Sequence, residues 1–297
     1  MQDSKWVSDD IVCRDGRQLS SFIEPDSIAL TITSPPYRNA IDYQQHLKNI
    51  KTNGNDYFRG KLTIGLKDYL NDMIQIFNEV YKVTMKGGYC CMIIGNELVK
   101  GGIIPLPSLL LAKLLKYDDE GWKLHEEIIW NKVTGGRNGV ANRFSVTVQH
   151  PYPSYYHANI LHEHILVLRK GSRNDRAVDR DKISKLPIND VMKKEIANSV
   201  WNIAPVPPNS VKHPAVFPEQ IPWRLIQLYS FPNDFILDPM NGSGQTTKVA
   251  KALGRHYIGV DIQPEYVKLA KKRLKEPSHL SKNLLVPKWQ RIEWQTS

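Results

Sequence analysis

Phe235-Ile-Leu-Asp-Pro-Met-Asn-Gly-Ser-Gly244 runs on through Gln245-Thr-Thr-Lys-Val-Ala-Lys-Ala-Leu253 to His256-Tyr-Ile-Gly-Val-Asp261. Phe235 to Leu237 is a short β-rich run. Asp238 to Gly244 carries two closely spaced glycines, and Thr246 to Leu253 has helical character. His256 to Val260 reads as the next strand and Glu265 to Leu274 as the next helix. Strand, helix, strand, helix in close succession implies βαβ units and a mostly parallel sheet. Glycines at a strand-to-helix turn let a ligand approach the backbone, and the helix N-terminus offers free N–H groups. A nucleotide-like cofactor suits that turn, with Asp261 placed where doubly wound folds bind ribose hydroxyls. The pattern is not Gly-x-Gly-x-x-Gly and has no Walker lysine, which disfavours dinucleotides and ATP. The alternative for this stretch alone is a glycine-rich turn with a structural aspartate.

The same alternation extends toward the N-terminus. Ile28 to Thr33 is a β-rich run stopped by Ser34-Pro35-Pro36-Tyr37, a strand ending in a stiffened loop with an aromatic ring. Taken alone, those four residues also fit a proline-stiffened turn or a polyproline ligand. Leu66 to Val83 has helical spacing, broken by Lys86-Gly87-Gly88 before the buried-strand run Tyr89 to Ile94. Pro105 to Leu115 reads as helix, Trp122 to Trp130 and Ile160 to Leu168 as strands, and Ile221 to Tyr229 as helix. The fold class is α/β: a doubly wound, mostly parallel sheet with helices on both faces. Three regions are expected: a catalytic half at 1–168, a basic insert at 169–199 and a cofactor-binding half at 200–297. Residues 169–194 hold nine Lys/Arg against four Asp, which reads as an inserted module or mobile arm.

The chain has 297 residues and a net charge of +10, with 40 Lys and Arg against 30 Asp and Glu. Ordinary hydrophobic content at 41% excludes disorder and fibrous repeats, and the basic balance favours a polyanionic partner. No run approaches a membrane span, and the polar start Met1-Gln-Asp-Ser-Lys5 lacks the layout of a signal peptide. A cytosolic protein of a bacterium or archaeon is expected. Cys13, Cys90 and Cys91 cannot build a disulfide framework and read as buried core thiols, the adjacent pair pointing to opposite sides of a strand. His162-Glu163-His164 puts two histidines on one strand face, but no cluster completes a zinc site, so no metal is expected.

Ser34-Pro35-Pro36-Tyr37 together with Asp238-Pro-x-x-Gly242-Ser-Gly244 resembles the S-adenosylmethionine-dependent amino-methyltransferases of DNA. The catalytic loop precedes the cofactor loop, as in their circularly permuted β group. Lys212-His-Pro-Ala-Val-Phe-Pro218, His256 to Asp261 and Glu163-His-Ile-Leu-Val-Leu-Arg-Lys170 extend the likeness from about Val12 to Leu274. The resemblance implies a Rossmann-like class I methyltransferase fold with S-adenosylmethionine as cofactor. It assigns Asp238, Gly242, Ser243 and Gly244, with Met240 and Asn241 in the same loop, to the methionine part. Asp261 falls to the ribose and Asp15 to the adenine, and Phe217-Pro218 closes over the methionyl end. Met240 and Gln245 depart from the family's usual aromatic and threonine.

That reading makes Ser34, Pro35, Pro36 and Tyr37 the catalytic loop. The Ser34 hydroxyl and Pro35 carbonyl would accept the protons of an exocyclic amine, while Tyr37 stacks a flipped base. Ser at the first position resembles the N4-cytosine enzymes, and N6-adenine is the alternative. C5 methylation is rejected, since no cysteine follows a proline. The expected partner is double-stranded DNA, contacted by Arg173, Arg176 and Arg180 of the insert and by Arg137 and Arg143 in Thr134 to Tyr156. The family adds the expectation of a cognate restriction endonuclease. Two competing functions are methylation of RNA or a protein amide, and a catalytically silent DNA-binding module.

Overall fold

The computed structural model describes residues 7–36, 38, 65–99, 102–116, 120–132, 152–153, 160–176, 186, 189–206, 211 and 216–278. Tyr37, Arg137, Arg143 and Arg180 lie outside the described residues, as do Lys212 to Ala215 and most of Thr134 to Tyr156.

In chain order the strands and helices are β1 (Asp10–Cys13), β2 (Ile28–Thr33), α1 (Leu66–Val83), β3 (Thr84–Ile94), β4 (Glu97–Val99), β5 (Gly102–Ile104), α2 (Leu106–Leu114) and β6 (Trp122–Asn131). They continue with β7 (His162–Lys170), β8 (Val200–Asn202), α3 (Gln220–Tyr229), β9 (Phe235–Asp238), α4 (Gln245–Ala252), β10 (His256–Asp261) and α5 (Pro264–Arg273). Among the described residues eight strands form one sheet in the order β1-β10-β9-β2-β3-β7-β6-β8, and β4 pairs with β5 in a separate hairpin. Every pairing in the large sheet is parallel except those that β7 makes with β3 and β6. One strand therefore runs against seven.

The physical basis is plain at β2, whose six residues are all buried. A strand covered on both faces needs a continuous apolar and β-branched run, and Ile-Ala-Leu-Thr-Ile-Thr supplies it. α1 instead turns a single stripe inward, with Tyr69, Leu70, Met73, Ile76, Phe77, Val80 and Val83 buried at helical spacing. It packs with α2 on one face of the sheet, over Cys90, Met92 and Leu237. α3 and α4 cover the other face, over Cys91, Ile93 and Ile236. Cys90 and Cys91 thus serve opposite cores, as alternation along a strand requires.

The structure departs from the sequence reading at several places. Cys13 is exposed, because it ends the edge strand β1 and its thiol reaches only the Ile262 carbonyl at 3.6 Å. The edge strands β1 and β8 and the hairpin β4–β5 add to the expected elements. Strand β3 begins directly at Thr84, before the glycine pair. There Gly87, at φ +76°, lets the backbone of Arg176 approach to a distance a Cβ would fill.

The described parts of the basic insert are tied into the fold. Lys170 donates to Asp26 and to the Tyr81 and Thr84 carbonyls. Arg176 pairs with Asp234 and lies over the Phe231 ring. A π-helical turn, Met192–Ile196, buries both its end residues against α3, and Glu195 pairs with Arg224. No helix among the described residues is long and apolar enough to cross a membrane.

Candidate active site

β9 and β2 lie side by side, yet the chain leaves them in opposite directions, through α4 to β10 and through α1 to β3. A crevice opens above the carboxyl ends of strands at such a reversal. Both singled-out loops leave from there: Ser34-Pro35-Pro36 from β2 and Pro239 to Gly244 from β9. Two hydrogen bonds join them. The Thr33 hydroxyl donates to Asp238 Oδ1 at 2.8 Å, and the Thr246 hydroxyl donates to the Ile32 carbonyl at 3.2 Å. Residues 205 positions apart are thereby held in one frame.

Asp238 is 2% exposed, and burial pushes its carboxyl up to about 7. Hydrogen bonds from Thr33, Thr246 and the Met240 N–H oppose that rise, and the neighbouring Asp261 charge adds to it. The turn after Asp238 is built on glycine. Gly242 and Gly244 have φ of +49° and +80°, and a Cβ on Gly244 would meet Ala270 Cβ at 2.8 Å. Asp261, at the end of β10, clamps this turn: one oxygen accepts from the Gly242 N–H at 2.8 Å and the other from the Gln263 N–H at 2.9 Å. Burial raises the Asp261 carboxyl too.

Asn241 is buried in the same turn, its N–H donating to the Val260 carbonyl at 2.9 Å. Its side-chain oxygen accepts from Thr247 at 3.1 Å, and its amide nitrogen is a buried donor with no partner. Ser243 is buried beside it, its carbonyl accepting from Arg273 Nη1 at 2.7 Å. Met240 is partly buried against the core under α1.

Asp15 caps a 3-10 turn, Gly16–Ser21, just beyond β1. The Arg17 guanidinium and N–H bind its carboxylate and hold it below the usual range. Gly16 sits so close to the turn after β9 that a Cβ there would come within 3.1 Å of the Pro239 carbonyl. The Arg14 N–H donates to the Asp261 carbonyl at 3.1 Å. Asp15, Asp238 to Gly244 and Asp261 therefore meet at one edge, and the Phe217 carbonyl reaches them through Gln245 Nε2 at 2.9 Å. Pro218, one residue on, is buried. Two carboxylates beside a glycine cradle with an unpartnered amide donor suit S-adenosylmethionine, which presents ribose hydroxyls, an adenine amine and a methionyl carboxylate.

Several residues here escaped the sequence reading. Thr33 looked like strand filler, and Gly16 had no motif around it. Arg38, immediately after the Ser-Pro-Pro-Tyr loop, forks onto Glu97 of β4 at 3.0 and 2.8 Å, with both side chains nearly fully buried. That pair ties the exit of the Ser34-Pro35-Pro36 loop to the hairpin. Lys132 and Glu163 pair at the same edge, where β6 ends and β7 begins.

His162 and His164 stand with ring centroids 5.3 Å apart, and His164 Nδ1 lies 2.7 Å from Glu127. Among the described residues no group of three His, Cys, Asp or Glu is placed to hold a metal. Arg173 falls in a 3-10 turn, Arg173–Asp175. Arg176 is engaged by Asp234 just before β9, at the sheet edge opposite Ser34. Its guanidinium is paired inside the fold, over the Phe231 ring.

Comparison with known proteins agrees with this geometry. Residues 28–272 match the DNA methylase family model N6_N4_Mtase. The Type II methyltransferase M.SmaI of Serratia marcescens is 28% identical over 291 residues, 89% of this chain and 90% of that protein. M.MjaI of Methanocaldococcus jannaschii, another Type II methyltransferase, is 26% identical over 269 residues, covering 85% and 86%. Among solved structures, TTHA0409 of Thermus thermophilus superposes with a TM-score of 0.63 at 25% identity, covering 89% and 93%. The PvuII DNA methyltransferase (cytosine-N4-specific) gives 0.63 at 18% identity over 94% and 90%, a likeness of fold. With a family model spanning most of its length and the motif loops joined at one crevice, the chain belongs to the N6_N4_Mtase family of S-adenosylmethionine-dependent DNA amino-methyltransferases.

Proposed function

We propose that the protein methylates the exocyclic N4 amine of cytosine in double-stranded DNA at a specific sequence, as the modification half of a restriction–modification pair. The observation that carries this reading is the position of Ser34. It follows directly on Thr33, whose hydroxyl is bonded to Asp238 of the cofactor turn, so the catalytic and cofactor loops share one rigid support. When bound, S-adenosylmethionine supplies a methyl group on a positively charged sulfur. Asp261 and Asp15 would hold its ribose and adenine, with the 238–244 turn and Phe217-Pro218 around the methionyl part.

An exocyclic amine is a weak nucleophile because its lone pair is delocalised into the ring. The Ser34 hydroxyl and Pro35 carbonyl accept hydrogen bonds from the amine, restore tetrahedral character at nitrogen and direct its lone pair, and the nitrogen loses one proton to water once it carries the methyl group. Pro35 and Pro36 fix the backbone that carries those acceptors. Tyr37 is assigned to stacking the base, which must leave the duplex to reach this pocket. C5 methylation would need a thiolate in a Pro-Cys loop: Cys90 and Cys91 are fully buried with their thiols pushed up by burial, and the exposed Cys13 follows Val12 at the end of β1.

The Type II relatives support the restriction–modification setting, and with it a cognate endonuclease as partner. Nucleoside digestion and mass spectrometry after reaction with mixed-sequence duplex DNA test the proposal, using chromatographic standards to separate the methylcytosine isomers. N4-methylcytosine is the expected product. N6-methyladenine would reassign the base but keep the residue roles, since a neutral serine accepts from either amine. 5-Methylcytosine would overturn the roles of Ser34 and Pro35.

A further inference from the structure

Gln245 stands at the first position of α4 and is 5% exposed. Both ends of its amide are engaged: Nε2 donates to the Phe217 carbonyl at 2.9 Å, and Oε1 accepts from Arg273 Nη2 at 2.6 Å. The second arm of the same guanidinium, Nη1, donates to the Ser243 carbonyl at 2.7 Å. Arg273 is the last residue of α5, and it too is buried. One guanidinium and one amide thus link three segments: the Phe217-Pro218 loop, the glycine turn and the end of α5. Beside them Lys248 pairs with Glu219 at 2.8 Å, also buried, so the segment after Phe217 has a second fastening to α4.

The chemistry of the position is restrictive. A side chain between a carbonyl and a guanidinium must donate at one end and accept at the other, and must be long enough to touch both. Glutamine meets all three conditions. Glutamate accepts but cannot donate, and lysine or arginine donates but cannot accept. Threonine carries a donor and an acceptor on one hydroxyl and is too short to span the gap. The departure from threonine at Gln245 therefore comes with a contact that threonine could not make.

We infer that Gln245 and Arg273 are positioning residues that hold the Phe217-Pro218 loop against the glycine turn, so that cofactor affinity depends on a hydrogen-bond relay that itself touches no cofactor. This rests on the reading that the 238–244 turn and Phe217-Pro218 bind S-adenosylmethionine. Preorganising a loop in its bound position removes an ordering cost from binding, so breaking the relay should appear in affinity for the cofactor. The reacting atoms lie at Ser34 and Pro35, so turnover at saturating cofactor should change little.

Gln245→Glu is the discriminating variant, because it keeps and strengthens the Arg273 contact while setting a carboxylate oxygen against the Phe217 carbonyl. Calorimetry with S-adenosylmethionine and steady-state kinetics on duplex DNA, run on the full chain, should give a Kd and cofactor KM raised at least about tenfold, with kcat within about threefold. Gln245→Met, of equal length and without either hydrogen bond, should raise Kd in the same direction. It supplies the test should the glutamate variant fold poorly by urea denaturation. Wild-type affinity in a folded Gln245→Glu or Gln245→Met protein would overturn the inference. So would a fall confined to kcat. Failure of the unsubstituted protein to bind S-adenosylmethionine would instead overturn the reading beneath it.

Discussion

Replacing Thr33 with valine removes one donor from the frame that joins the two loops and keeps nearly the same shape in a fully buried site. The lost bond ends on Asp238 Oδ1 at 2.8 Å, and the Met240 N–H still donates to that oxygen at 3.2 Å. A hydrogen bond to an ionised group contributes about 1.5–3 kcal/mol and one between neutral groups about 0.5–1.5 kcal/mol. Which value applies depends on the charge of Asp238, whose folded-state pKa is raised from 3.8 to about 7 by burial.

Between those limits the folded state holds a proton that the unfolded state has released, so this group makes stability fall as pH rises. Thr33 opposes that fall by favouring the charged form, so its contribution is full above the folded pKa and shrinks below it. Thr33→Val should therefore cost about 2 kcal/mol near about pH 8.5 and about 1 kcal/mol near about pH 5.5. Urea denaturation of both proteins at the two pH values measures the difference. An equal loss at both, or a loss below about 0.5 kcal/mol at the higher pH, would refute the assignment of Asp238 as a group that titrates near neutrality and is held by Thr33.

Ser34→Ala should leave S-adenosylmethionine affinity within about twofold and slow single-turnover methyl transfer by about 30- to 900-fold, on the order of 2–4 kcal/mol for one preorganised polar group. Glu97→Ala removes the carboxylate that the buried Arg38 guanidinium forks onto and should lower stability by about 3 kcal/mol in urea denaturation. Arg176→Ala should lower stability by about 1–2 kcal/mol through loss of Asp234 and Phe231. It should leave the salt dependence of DNA affinity unchanged, as titrations at several salt concentrations would register.

Most of the sheet was legible because its central strands are buried on both faces and must be written in β-branched and apolar residues. Ile28 to Thr33 and Tyr89 to Ile94 carry that signature. The two loops were legible for a different reason, since glycine and proline leave a trace wherever backbone geometry is demanding. What was missed has no such trace. β1 is four residues long and begins with an acid, and β8 is three residues long. The direction of β7 cannot be read from periodicity, because a strand buried on both faces looks alike run either way.

The basic segment after Arg169 read as an inserted module or mobile arm because composition counts charges without their partners, and among its described residues several charges have them. Lys170, Arg176 and Glu195 all proved to be paired. The site followed the same division. Glycines and carboxylates announced themselves, whereas Thr33, Arg38 and Arg273 act through contacts with residues remote in sequence.

The adjacency of β2 and β9 also bears on how the chain is made. Translation delivers β2 and β3 early, but the strand that closes the other side of β2 emerges about two hundred residues later. Until then β2 presents a bare, apolar edge to the cell, and β1 waits still longer for β10. The core cannot close on a nascent N-terminal half. Assembly is deferred to the end of synthesis and depends on strand pairings of high sequence separation, which form slowly and leave time for wrong partners. The strand order that brings the two loops to one crevice thus leaves the growing polypeptide open to mispairing until its C-terminal strands are made.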